Sequence, residues 1–223
     1  MGEWIRLTAQ DGHGLDAYRA LPEKESAAGG IVVVQEIFGV NSHIRALCEG
    51  YAREGYAAIA PAIFDRQKTQ VELPYTPEAT VEGRALRAAI GWDPPLLDIQ
   101  AAAGALGVNG NVAVIGFCWG GSLAWRAACN LPVRCAVAYY GGQIIQFNHE
   151  SPKVPVLLHF GEKDALIPAE DREAIQKAHP DVPVHVYAAG HGFNCTERAD
   201  FNEVASALAR ERTLAFLREH LGS

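Results

Sequence analysis

Two hydrophobic patterns alternate along the chain. In residues 4–20, apolar and polar side chains alternate on either side of a turn sequence at residues 11–14, which predicts an antiparallel hairpin. Farther along, short and nearly continuous apolar runs occupy residues 31–34, 57–60, 112–115, 135–140 and 154–160. Runs of this kind predict strands that are buried on both faces of a parallel sheet.

Helical spacing separates these strands. Apolar residues three or four apart predict a helix that is capped by Ser42 and ends at Gly55, and further helices at residues 96–106 and 214–221. Strands that alternate with helices are typical of a doubly wound α/β domain. We therefore expect one doubly wound α/β domain over residues 1–223, with a mostly parallel sheet flanked by helices and an antiparallel hairpin at its start.

One segment breaks this rhythm. Residues 61–95 contain five prolines and mixed charge. This composition predicts at most one short helix, around residues 81–90, within an excursion over the edge of the sheet. Long excursions in such folds often cover a ligand site.

Composition and charge narrow the function. The 223 residues carry 19 basic and 26 acidic side chains, a net charge of −7, and 49% are hydrophobic. This balance disfavours a nucleic-acid partner, and no apolar run approaches the roughly 20 residues of a membrane span. The N-terminus does not have the pattern of a secretory signal, and five cysteines are typical of reduced thiols. We expect a cytoplasmic monomer with no membrane partner.

A cysteine stands where such folds carry a nucleophile. Residues 112–125 read as a buried strand, then Gly-x-Cys-x-Gly, then a helix, with Cys118 at the turn. Gly116 and Gly120 remove side chains that would clash in so tight a turn. The N-terminus of the following helix favours a thiolate. This motif predicts a nucleophile elbow, although a free cysteine can also be a small packing residue.

The chain downstream supplies an acid and a base in the order that this architecture uses. Asp164 follows a buried strand in a glycine turn, and His191 follows a later strand between two glycines. Asp164 would hold the imidazole tautomer that faces Cys118. Glu162 competes for the role of the acid, and His43 is an alternative base.

Glu36 ends the first long buried strand. A carboxyl group in a dry site can accept a thiol proton, although an isolated Glu is more often on the surface. The same strand end supplies one oxyanion-hole N–H in this architecture, which nominates the backbone of Ile37 together with that of Trp119. His191 and Cys195 have a spacing that could hold zinc, but no second ligand pair accompanies them, so we expect neither metal nor cofactor.

Four motifs together resemble the dienelactone hydrolase (carboxymethylenebutenolidase) family of the α/β-hydrolase superfamily. They are Gln-Glu-Ile-Phe-Gly-Val-Asn at 35–41, Gly-Phe-Cys-Trp-Gly-Gly at 116–121, Gly-Glu-Lys-Asp at 161–164 and Gly-His-Gly-Phe at 190–193. The resemblance implies hydrolysis of dienelactone to maleylacetate in the degradation of chlorinated aromatics, without metal or organic cofactor. It also implies a Cys118, Asp164 and His191 triad, and a Glu36 that lies next to the resting thiol and deprotonates it when substrate arrives. Tyr139 matches a family active-site tyrosine, and we expect Phe38 to contact substrate.

The chain departs from the family at one position. Members that take dienelactone usually carry His-Ser-Phe-Ala-Arg, whose arginine meets the substrate carboxylate, whereas this chain has Cys195 at the arginine position. Arg198, or Arg84 or Arg87 in the excursion, would have to bind an anionic ester or lactone instead. The alternatives are a general cysteine carboxylesterase or thioesterase, and a non-catalytic binding or redox-sensing protein.

Overall fold

Eight strands form one sheet in the computed structural model, which describes residues 2–24 and 26–222. The strands are β1 (Glu3–Thr8), β2 (Gly14–Ala20), β3 (Gly30–Val34), β4 (Ala57–Pro61), β5 (Val112–Phe117), β6 (Cys135–Tyr139), β7 (Val156–Gly161) and β8 (Val184–Tyr187). Their order is β1-β2-β4-β3-β5-β6-β7-β8. The β1–β2 and β2–β4 pairs are antiparallel and the other pairs are parallel, which confirms the predicted fold class and hairpin.

Six α-helices connect these strands in the described residues. They are α1 (Ser42–Arg53), α2 (Pro77–Ile90), α3 (Pro94–Ala105), α4 (Trp119–Asn130), α5 (Ala169–Ala178) and α6 (Glu203–Leu221). The predicted Ser42 cap is wrong by one residue: Asn41 caps α1, and its side chain accepts a hydrogen bond from the Ile44 N–H. Gly55 follows the helix with a φ of 96°, as expected of a glycine at a helix end.

The prediction for residues 61–95 underestimated its helix. Helix α2 has 14 residues, Pro77–Ile90, and begins four residues before the short helix predicted around residues 81–90. Its start carries a local helix signature: the Thr76 side chain accepts from the Ala79 N–H, and Pro77 occupies the first turn, where its fixed φ suits a helix. Gly83 on α2 faces the carbonyl oxygen of Ile37, where a Cβ would overlap with that oxygen. The excursion therefore packs onto the segment that follows β3.

The core surrounds the centre of the sheet. Strands β3 to β7 are buried along their whole lengths, and so is α4 except for its last residue. A helix that is buried all round belongs to the interior of a domain, so the turn before α4 is held on every side. None of the helices in the described part of the chain is long and apolar enough to span a bilayer.

Candidate active site

Cys118 occupies the turn between β5 and α4. Its φ is 54°, a conformation that few residues other than glycine adopt, and its N–H donates to the Tyr139 carbonyl at 3.0 Å. A Cβ on Gly116 would overlap with the carbonyl of Gly120, and one on Gly120 would overlap with the carbonyl of Val34. The glycines are therefore needed for close approach of strand and helix, and the turn holds Cys118 at the N-terminus of α4.

Three side chains from separate loops line up at this turn. Cys118 Sγ lies 3.1 Å from His191 Nε2, and His191 Nδ1 lies 2.7 Å from Asp164 Oδ2. Asp164 is further fixed because its other oxygen accepts from the Leu166 N–H at 2.8 Å. Glu162, the competing acid, is exposed, whereas Asp164 is buried. The structure thus brings the predicted Cys118, His191 and Asp164 together and leaves Glu162 at the surface.

The imidazole of His191 has an unusual environment. Burial lowers its pKa, but the charge of Cys118 and the hydrogen bonds with Asp164 and Cys118 act in the opposite direction and raise the pKa of His191 to about 10. A protonated imidazole between a buried carboxylate and a sulfur would be stabilised on both sides. The arrangement therefore favours a protonated imidazole at His191 beside Cys118.

Glu36 lies buried at the end of β3, and two groups hold its carboxylate. Arg198 Nη1 is 3.3 Å from Oε1, and the Tyr75 hydroxyl donates to Oε2 at 3.0 Å. Among the hydrogen bonds of the described residues, none joins Glu36 to Cys118. The carboxylate is thus oriented toward the arginine and the tyrosine, with the thiol left to His191.

The three candidate arginines have different positions. Arg198 lies over the rings of Phe38 and Tyr75, at 5.9 and 5.7 Å from their centroids. Arg84 is exposed on α2 and Arg87 is partly exposed, and neither contacts a carboxylate in the described part of the chain. Of the three, Arg198 is therefore the one that the fold brings to Glu36, with Phe38 beside it.

The structure corrects the prediction that Tyr139 contacts substrate. The hydroxyl of Tyr139 lies 2.7 Å from Thr213 Oγ1 on α6, so it points into the packing between sheet and helix. Its neighbour Tyr140 is the one whose ring contacts His191, with centroids 5.1 Å apart, and its φ of 40° marks a constrained position. Successive strand side chains point to opposite faces, which is why adjacent tyrosines diverge.

Sequence reasoning missed Tyr140 and Tyr75. Tyr140 directly follows β6, and the carboxyl ends of parallel strands are where sites in open α/β sheets form, so this rule could have found it. Tyr75 had no such signal because it lies in the irregular part of the excursion before α2.

The predicted oxyanion donors are backbone N–H groups. Trp119 is the first residue of α4, so its N–H precedes the intrahelical hydrogen bonds. Ile37 lies in the turn after β3, and its N–H donates no hydrogen bond within the described residues. Both N–H groups are therefore available to an external acceptor.

His43, the alternative base, and Cys195, part of the zinc-like spacing, both lie close to Glu36. His43 is buried at the start of α1 and has no contact with Cys118 among the described hydrogen bonds. Cys195 lies close to Glu36 and His43 rather than pairing with His191. The structure thus separates the two residues whose spacing suggested zinc.

The comparisons with known proteins identify the family of the chain. A model of the dienelactone hydrolase family matches residues 15–221. The chain belongs to this family. Members of the dienelactone hydrolase family are ester hydrolases with the α/β-hydrolase fold, and this chain is one of them.

Individual relatives of this dienelactone hydrolase family member extend over nearly its whole length. The carboxymethylenebutenolidase of Pseudomonas putida is 35% identical over 226 residues, which cover 96% of this chain and 95% of that protein. Carboxymethylenebutenolidase 1 of Cupriavidus pinatubonensis is 29% identical and covers 97% of both chains. A crystal structure of a candidate dienelactone hydrolase from Klebsiella pneumoniae superposes with a TM-score of 0.80 at 30% identity, covering 97% of this chain and 99% of that one.

A more distant neighbour shares the fold alone. An esterase from Pyrococcus furiosus superposes with a TM-score of 0.72 at 18% identity, covering all of this chain and 92% of the other.

Proposed function

We propose that the protein opens ester or lactone bonds through a thioester on Cys118, with His191 and Asp164 completing the triad. The alignment of Cys118 Sγ, His191 and Asp164 at 3.1 and 2.7 Å carries this proposal. The strained turn at Cys118 supports it, because such a conformation persists where the surrounding fold enforces it and often marks a functional site.

The first half of the reaction forms the thioester. The Cys118 thiolate attacks the carbonyl carbon, and the N–H groups of Ile37 and Trp119 stabilise the negative oxygen. The tetrahedral intermediate collapses, the bond to the ester oxygen breaks, and the imidazolium of His191 gives that oxygen its proton. In a lactone the released oxygen stays attached to the same acyl chain.

The second half restores the enzyme. Neutral His191 accepts a proton from water, which attacks the thioester carbon. Collapse of this intermediate releases the carboxylic acid and leaves Cys118 as thiolate beside protonated His191. Asp164 keeps the imidazole oriented throughout. As the resemblance implies, Glu36 takes the proton of a protonated Cys118 when substrate arrives, which requires its carboxylate to leave Arg198 and Tyr75.

The preferred substrate carries a carboxylate. The protein has a net charge of −7, so an anionic substrate needs a local cation, and Arg198 is a largely buried cation beside Glu36. Its guanidinium is a fork of donors that suits a carboxylate. A dienelactone-type lactone fits these features, and the names of the relatives support it. A role of the enzyme in the degradation of chlorinated aromatics remains a prediction from the sequence.

The location, oligomeric state and domain organisation rest on the sequence. Free thiols at all five cysteines support a reducing cytoplasm. The monomeric state and the single domain over residues 1–223 stay predictions.

A burst experiment tests the nucleophile. Mixing the enzyme with p-nitrophenyl acetate should release about one equivalent of p-nitrophenol per active site before steady turnover, because this activated ester should acylate the thiol faster than water removes the acetyl group. Intact-mass measurement during the burst should show one added acetyl group, and Cys118→Ala should abolish both signals. Cys129→Ser is a matched control, because that thiol is buried in α4. A burst that survives in Cys118→Ala would refute the assignment, and turnover without any acetylated species would refute the thioester.

A further inference from the structure

Three potential metal ligands lie close together: Glu36 and His43 from one part of the chain and Cys195 from another. The carboxylate of Glu36, the imidazole of His43 and the thiol of Cys195 each place one ligand atom within 4.8 Å of the others. All three residues are buried. In residues 2–24 and 26–222 this is the one such group. The triad does not use His43 or Cys195.

The donor set is chemically selective. Thiolate, imidazole and carboxylate are the three ligand types that zinc takes in proteins, and three protein ligands leave one coordination position open for water. Ligand atoms within 4.8 Å can close on one ion through small side-chain rotations, because a zinc ion is held at about 2.0–2.3 Å from each ligand. Magnesium and calcium prefer sites made of oxygen atoms alone.

A second observation points to a missing partner. Nε2 of His43 is buried and has no hydrogen-bond partner within the described residues, and the whole residue is only 6% exposed. A buried polar atom without a partner costs stability. Imidazole nitrogen is also a common metal ligand in proteins.

We propose that Glu36, His43 and Cys195 form a reversible binding site for Zn²⁺ or a similar divalent cation. The cation takes the place of the Cys195 thiol proton, which leaves to solvent, and no electron is transferred. Arg198, with Nη1 at 3.3 Å from Glu36 Oε1, repels the ion. The site should therefore exchange its ion readily, as a regulatory site would.

The consequence for activity rests on the proposed function. An ion on Glu36 would occupy the carboxylate that accepts the Cys118 proton and would compete with Arg198 for it. Zn²⁺ should therefore inhibit the hydrolase reversibly, and a chelator should restore the rate.

Cobalt absorbance tests the site without turnover. Co²⁺ should be titrated into Cys118→Ala, in which the neighbouring Cys118 and His191 pair can no longer bind an ion. A thiolate-to-cobalt charge-transfer band should appear, and adding Cys195→Ser should remove it. Adding His43→Gln should weaken binding at least about tenfold, since even groups outside the coordination sphere have effects of that size. Arg198→Gln should strengthen it, because a neighbouring positive charge is removed.

Further measurements make the outcome decisive. Cys129→Ser in the same background should leave the band unchanged, and circular dichroism should show that each variant is folded. A band that persists without Cys195, no band at millimolar Co²⁺, or weaker binding in Arg198→Gln would overturn the site. Because the band does not depend on hydrolysis, failure of the thioester mechanism would leave this result standing. Zn²⁺ inhibition that is unchanged in Cys195→Ser would refute the inhibitory role alone.

Discussion

Arg198 should control the enzyme's preference for anionic substrates. Its side chain is 18% exposed and lies beside Glu36 and over the ring of Phe38, so a substrate carboxylate would meet a partly dehydrated guanidinium. A hydrogen bond to a charged group contributes about 1.5–3 kcal/mol. Because about 1.4 kcal/mol corresponds to a factor of ten, Arg198→Ala should lower kcat/KM for a carboxylate-bearing lactone by about ten- to a hundredfold.

The loss of kcat/KM in Arg198→Ala should be larger for negatively charged substrates than for neutral ones. Removing Arg198 also leaves Glu36 without its cation, and this effect should slow neutral and anionic substrates alike. The decisive quantity is therefore the ratio of kcat/KM for dienelactone to that for a neutral ester of similar size, measured for each variant. Most of the change in that ratio should lie in KM, because a remote clamp contributes binding that ground and transition states share.

Two further variants sharpen this test. Arg84→Ala removes an exposed arginine from α2 and should leave the ratio unchanged. Gly192→Ala should mimic Arg198→Ala, because a Cβ on Gly192 would come within 2.7 Å of Arg198 Cζ and its φ of 80° disfavours any side chain. An unchanged ratio in Arg198→Ala, or a wild type that prefers neutral esters, would refute the clamp and favour a general cysteine esterase.

Three other changes have calculable outcomes. Asp164→Asn should lower kcat by about 10³- to 10⁴-fold, because the His191 imidazole would lose the partner that fixes its tautomer. Glu162→Gln at the surface should have little effect on kcat. If steady-state kinetics show the reverse ranking, Glu162 is the acid of the triad. Gly120→Ala should destabilise the folded protein by about 1–3 kcal/mol, because its Cβ would meet two carbonyl oxygens at the end of β3. Gly104→Ala lies in open space on α3 and should not lower the calorimetric Tm. Equal Tm values for the two variants would contradict this reasoning. Burial holds the pKa of His159 well below 6.5, so below pH 6.5 this residue binds a proton in the unfolded chain but not in the folded one. Its contribution to the free energy of unfolding should therefore be present above pH 6.5 and fall by about 1.4 kcal/mol per pH unit below it. Denaturant titrations of His159→Gln should lack this pH dependence, and an unchanged slope of unfolding free energy against pH would refute the reasoning.

Local patterns were enough to predict the frame of the site. The buried run of β5, the glycines around Cys118 and the glycine turn after β7 are each dictated by residues within a few positions, and each was read correctly as a strand or a turn. The start of α2 also has a local signal, the Thr76 cap followed by Pro77, but the many prolines of residues 61–95 favoured an irregular segment there. The sequence did not show which of Tyr139 and Tyr140 faces His191, because a shift of one residue along a strand moves a side chain to the opposite face of the sheet.

The position of Arg198 needed information that no local pattern contains. The family motif places an arginine four residues after the histidine, but here the chain turns at Gly192, where the Cys195 N–H donates to the Gly192 carbonyl, and again where the Arg198 N–H donates to the Cys195 carbonyl. These turns return Arg198 across Gly192 to Glu36, where the family serine at position 192 would obstruct its guanidinium. The glycine and the displaced arginine therefore depend on each other. Gly192 and Cys195, at positions where the resemblance implies a serine and an arginine, then form one structural difference: together they keep a cation on Glu36, and they leave a thiol beside it.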